Sequence, residues 1–130
     1  LLRLPTENEW VMAAGGEDPQ GRYSWDKEGQ ATEEVDEILR RANVDESGIG
    51  RTTPVGMYPL GVSSQGVWDM SGNVWEWQAN YEDDDRDWLV LRGGSWYYYR
   101  RYARVSARDL SPPDDLWSSS FGFRLVAPPS

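Results

Sequence analysis

Apolar positions along the chain change their spacing near residue 67. Before it, Trp10, Val11 and Ala14 share one face of a helical repeat, and so do Val35, Ile38 and Leu39. The first group predicts a helix over 6–14. Pro5 precedes it, Thr6 and Glu9 stand at the spacing of a reciprocal capping box, and Gly15-Gly16 can end it in positive-φ backbone. The second group predicts a helix over 32–41, with an acidic, solvated outer face and with Arg40 and Arg41 favourable at the negative end of its dipole. Seven Gly and Pro residues punctuate 45–67, which reads as loop.

After residue 67 the repeat shortens towards two. The stretches 74–78, 88–92, 103–108 and 121–126 place β-branched or aromatic residues in alternation between turn signals, the pattern of short strands in a small, twisted antiparallel sheet. Helices first and strands last make an α+β domain. Alternation also constrains Tyr97, Tyr98 and Tyr99, which cannot all point inward.

A length of 130 residues suits one domain spanning 1–130. With 8 Trp and 7 Tyr, the core is expected to be aromatic and rich in polar handles. A net charge of −9 excludes nucleic acid as a partner, because phosphate backbones require excess Lys and Arg. The charge is uneven. Residues 1–88 carry 19 acids against 7 bases and residues 89–130 carry 3 against 6, leaving a mildly basic end on an acidic body. Clustered acids at Asp83, Asp84, Asp85 and Asp87 lack the layout of a calcium loop and read as solvated. The chain has no Cys and no His, which removes disulfides, thiolate nucleophiles, imidazole bases and the usual zinc or copper ligands. No stretch resembles a signal peptide, and no apolar run approaches the roughly 20 residues of a membrane span. No membrane insertion is expected, and the compartment is not encoded.

Five blocks stand in register over nearly the whole chain: Arg3-Leu-Pro-Thr-Glu-Asn-Glu-Trp10, Thr53-Pro-Val-Gly-Met-Tyr-Pro59, Gly72-Asn-Val-Trp-Glu-Trp77, Leu91-Arg-Gly-Gly-Ser-Trp96 and Gly122-Phe-Arg-Leu125. Together they resemble the formylglycine-generating-enzyme, or sulfatase-modifying-factor, family. The resemblance implies a C-type-lectin-like fold with two short helices, a small twisted antiparallel sheet and extensive loops, and it implies that the N-terminal part of the family domain is missing here. Trp75, Trp77 and Trp96 are expected in the core, and Arg92, Arg108 and Arg124 as structural ties between loops. Where active oxidases of the family carry two cysteines, this chain has Tyr98 and Ala103. The related iron-dependent sulfoxide synthases use histidines, also absent. The expectation is a chain without oxidase chemistry that requires no cofactor. The family also implies a structural calcium ion at Asn73, Val74 and Glu76. The other reading is that Glu76 pairs internally. Gly56 replaces the Asp of a second calcium position.

Residues 97–120 mix Tyr, Arg, Ser and Trp as binding surfaces do. They resemble the variable region of diversity-generating-retroelement proteins. In those systems, mutagenised adenines turn Asn codons into Tyr, Ser, Asp, Leu, Phe or Arg codons, an outcome that Trp117 does not fit. The resemblance implies a ligand-binding set of Tyr97, Tyr98, Tyr99, Arg101, Tyr102, Asp109, Leu110, Asp115, Leu116, Trp117, Ser118, Ser119 and Ser120, facing a protein or glycan ligand. Two alternatives stay open: a non-cysteine enzyme or regulatory member of the family, and an amphipathic hairpin that packs against the missing N-terminal part.

Overall fold

The computed structural model describes residues 1–17, 21–82, 86–112 and 118–127. Helix α1, Glu7–Ala13, begins at the expected capping box: Thr6 Oγ1 accepts the Glu9 amide at 3.2 Å, and the Glu9 carboxylate accepts the Thr6 amide at 2.9 Å. Trp10, Val11 and Ala14 are buried and pack with Met70 and Val105. Helix α2 is shorter than expected, Val35–Leu39. Its intended start is drawn away, because Thr32 donates its amide and hydroxyl to Asp26 at 3.0 and 2.6 Å. Side-chain bonds of this kind compete with helix formation. Ile38 is buried against Tyr23, Ala42, Val44 and Ala103.

Four strands follow: β1 (Trp75–Tyr81), β2 (Leu89–Arg92), β3 (Arg108–Ser111) and β4 (Phe121–Gly122), in the order β3-β2-β1-β4. β1 with β2 and β2 with β3 are antiparallel, but β1 with β4 is parallel, so the sheet is mixed rather than wholly antiparallel. β3 and β4 lie at opposite edges of the sheet, and β4 runs in the same direction as β1. The strand expected over 103–108 is also corrected. Ala103 and Val105 are buried and Arg104 is exposed, as alternation requires, yet Val105 donates its amide to Arg22 O at 2.9 Å, outside any strand ladder. Residues Arg100–Ala103 form a 3-10 helix instead. The last strand ends at Gly122, beyond which Val126 pairs only with Arg3.

The two faces of the sheet bury different chemistry. One face sets Glu76 and Arg92 towards α1, where the Trp10 indole donates to Glu76 at 3.2 Å and Arg92 pairs with Glu7 at 3.0 Å. The other holds Trp75, Trp77 and Leu91 against Tyr98, Tyr102 and Phe121. The structural arginines are placed as expected: Arg108 binds Glu7 and Glu82, and Arg124 binds Glu76. Trp96, expected in the core, is half-buried, and its indole donates to Ser119 O at 2.9 Å.

The carboxylates of α1 set an acid limit on stability. Glu9 is held down to about 2, first by the two Arg3 bonds at 2.7 and 2.8 Å and then by the Thr6 amide. Burial pushes the Glu7 carboxyl up, but Arg108 and Arg92 outweigh it, and the net shift is downward. Both folded values lie below the ordinary 4.5, so the stabilisation is complete above that pH and is lost as pH falls towards 2. The thermal midpoint is expected to drop across this window, and to drop less in Glu9→Gln.

Candidate functional site

The segment that carries the tyrosines is launched by a turn that only glycine fits. Gly94 has φ of 71°, and a Cβ there would lie 2.8 Å from Tyr102 O and 2.9 Å from the Ala103 backbone. Past this turn the backbone is anchored at intervals. Trp96 donates its amide to Asn73 O at 2.9 Å, Tyr98 O accepts the Asp45 amide at 2.9 Å, and the Arg100 amide donates to Glu46 at 2.9 Å. The Arg100 guanidinium adds a 2.7 Å bond to the same carboxylate.

These anchors set an alternation. Tyr97 and Tyr99 are 67% and 55% exposed, whereas Tyr98 between them is half-buried. The Tyr98 ring meets Trp75 edge-on at 5.3 Å and Tyr102 at 5.4 Å, and burial pushes its phenol pKa up. Tyr98 and Tyr102 therefore serve as the floor of the surface. Arg101 lies over the rings of Tyr99 and Tyr102, 5.6 and 4.7 Å from their centroids, and donates to the Tyr102 hydroxyl at 3.0 Å.

Two cavities share Tyr99 and Arg101. The larger, about 400 Å³, is lined by Asp45, Tyr97, Tyr98, Tyr99, Arg101 and Tyr102. The other, about 270 Å³, is lined by Glu46, Tyr99, Arg100, Arg101 and Arg104. Sequence reasoning missed Asp45, Glu46, Arg100 and Arg104 as members of this surface. Asp45 and Glu46 stand some fifty positions upstream and are brought here by backbone bonds, a link with no local signal.

The remaining candidates divide. Asp109 stands opposite Leu91 in the β2–β3 register, on the face of Tyr98, and its charge contributes to raising the Tyr98 phenol. Leu110, the next residue, points to the opposite face and is not gathered with the tyrosines. Ser118 and Ser119 are exposed, but Ser120 is buried, its carbonyl accepting the Trp75 amide at 2.7 Å. Asp115, Leu116 and Trp117 lie outside the described residues, as do Asp83, Asp84 and Asp85.

Two of the three residues implied for calcium, Asn73 and Glu76, have side chains engaged otherwise. One Glu76 oxygen accepts Trp10 Nε1 and Arg124 Nε, and the other accepts Arg124 Nη2 at 3.0 Å. Asn73 Oδ1 accepts the Thr53 amide at 3.0 Å. In this arrangement a guanidinium already neutralises the carboxylate that a divalent cation would need, so the donor set does not fit calcium. The internal pairing of Glu76 is the reading that matches the geometry. Among the described residues, no group of three or more His, Cys, Asp or Glu could hold a metal ion, and no helix is long and apolar enough to cross a membrane.

Comparison with known proteins places this geometry. Residues 2–128 match the model of the sulfatase-modifying factor enzyme 1-like domain. The chain is 36% identical over 133 residues to the inactive C-alpha-formylglycine-generating enzyme 2 of Bos taurus, covering 96% of this chain and 44% of that protein. It is 31% identical over 160 residues to the formylglycine-generating enzyme of Thermomonospora curvata, covering 98% and 50%. Among solved structures it resembles Treponema denticola variable protein 1, with a TM-score of 0.78 and 29% identity, covering 95% of this chain and 46% of that one. The chain thus spans about half the length of the relatives it matches. Its helices, curled four-stranded sheet and loops are the α+β, C-type-lectin-like arrangement of these relatives. The chain belongs to the formylglycine-generating-enzyme, or sulfatase-modifying-factor, family.

Proposed function

We infer that this domain is a ligand-binding module that presents Tyr97, Tyr99 and Arg101 on a scaffold indifferent to their identity. The observation that carries the reading is the out-in-out alternation of the three tyrosines: two rings are exposed over cavities and the one between them is keyed into the core. Tyr and Arg provide large contact area and hydrogen bonds at low ordering cost, which is why they dominate binding hot spots. The likeness to variable protein 1 supports the reading, as does the family resemblance of residues 97–120 to retroelement-diversified regions. The ligand is a protein or a glycan. Thiol and imidazole chemistry has no residues here, since the chain carries neither Cys nor His, and Tyr98 and Ala103 fill the positions of the family's cysteines with packed side chains.

The test pans a random peptide library against the full chain. Selected peptides are expected to lose about tenfold or more in affinity for a Tyr97→Ala, Tyr99→Ala variant, while its stability changes by no more than about 0.5 kcal/mol. Peptides that keep their affinity for the variant, or a variant that unfolds, would overturn the reading.

A further inference from the structure

The body of this protein is acidic, yet one wall of the surface is not. The smaller cavity beside Tyr99 gathers Arg100, Arg101 and Arg104 around a single carboxylate, Glu46. That carboxylate is committed to Arg100 through both the amide and the guanidinium, at 2.9 and 2.7 Å. Among the described residues, no carboxylate forms an ion pair with Arg101 or Arg104. Arg101 gives one hydrogen bond to Tyr102, and the charge of Arg104 is felt by the Tyr23 phenol. A guanidinium carries five N–H donors in a planar fork, so both retain donors for an incoming oxyanion.

Resting on the binding reading above, we propose that the Arg101–Arg104 cavity is an anchor for a carboxylate in an acidic peptide segment of a protein partner, with flanking side chains on Tyr97 and Tyr99. The two cavities share Tyr99 and Arg101, so one continuous ligand can place a charged group in the smaller and an apolar or aromatic group in the larger. The net charge of −9 favours this ligand over a polyanion. A sulfated glycan or a phosphate chain would bring many charges close to an acidic body, whereas a short acidic segment brings its charge only to the cationic wall. The same contrast favours one orientation, because an acidic partner meets a body of net negative charge elsewhere.

The experiment uses the full chain and fluorescence anisotropy at low ionic strength. The probe is a short dye-labelled peptide with one Glu and one Tyr. Its controls are the same peptide with Gln for Glu, a sulfated disaccharide and inorganic phosphate. The Glu peptide is expected to bind, and to weaken at least about tenfold both in the Gln form and against an Arg101→Glu, Arg104→Glu variant whose thermal midpoint is unchanged. Circular dichroism checks that this variant is folded, and Arg104→Gln alone provides a milder version. Absent binding of the Glu peptide, equal binding of the Glu and Gln peptides, or tighter binding of the disaccharide or phosphate would overturn the proposal. The two readings fail separately. If the Gln peptide binds equally and is lost on Tyr97→Ala, Tyr99→Ala, the aromatic surface stands and the anion anchor falls. If the Glu peptide is lost only on the arginine variant, the anchor stands and the aromatic reading falls.

Discussion

Replacing Arg124 by leucine is expected to lower stability by about 3–5 kcal/mol at neutral pH, seen as a fall in the urea midpoint. The Glu76 side chain is only 4% exposed, and Arg124 is the cation that compensates it. Arg124 also donates to the Trp68 and Asp69 carbonyls at 2.9 and 3.2 Å, so its loss leaves a buried charge and two loop acceptors without their donor. Burial pushes the Glu76 carboxyl up, opposed by Arg124 and Trp10. Removing Arg124 moves it further up, and an acid raised in the folded state is destabilising only above its ordinary value. The deficit should therefore shrink as pH falls towards 4.5. Adding Glu76→Gln to the variant should restore part of the loss at neutral pH, because the charge is gone. An unchanged urea midpoint for Arg124→Leu would mean that solvent reaches Glu76 in place of the guanidinium.

Trp75→Ala is expected to cost about 3–5 kcal/mol, the usual range for emptying a large aromatic site in a core. Trp75 is fully buried and touches both rings that floor the proposed binding surface, Tyr98 at 5.3 Å and Tyr102 at 6.4 Å. The loss should therefore reach the site, with the near-ultraviolet circular dichroism of the tyrosine cluster weakening at temperatures where the fold persists. Trp75→Phe should cost much less. The indole N–H finds no acceptor among the described residues, so a phenyl ring keeps the aromatic contacts and gives up no hydrogen bond. If the phenylalanine variant were as damaged as the alanine variant, shape rather than ring contact would govern this position.

What the sequence made legible follows from what is local. The capping box of α1 depends on two residues three apart, and the burial of Trp10, Val11 and Ala14 depends on a helical repeat; both are found as read. The family blocks identified the fold because their order reflects the sheet and its turns. The strand over 103–108 failed for an instructive reason: side-chain alternation reports burial, and here the buried positions face the clusters that also hold α1 and α2 rather than a ladder partner. The parallel pairing of β4 was illegible because direction is set by a crossover that no short window contains. In the site, alternation foretold that not every tyrosine points inward, but not which ring would be the inner one. Choosing Tyr98 requires Trp75 and the Asp45 amide, neither of them a neighbour in sequence. Ser120 and Leu110 were grouped with the tyrosines by the resemblance to retroelement-diversified regions, and burial in one case and sheet register in the other separate them.

Three of the anchors of the segment 96–100 run through a main-chain amide or carbonyl, at Trp96, Tyr98 and Arg100. The outward rings at 97 and 99 contribute to none of them. On the proposed reading, those two letters can be rewritten without renegotiating the fold, so that new molecular tastes are tried on an architecture inherited intact. Separating what holds the backbone from what is displayed, residue by residue along one short stretch, is what would make such a surface evolvable.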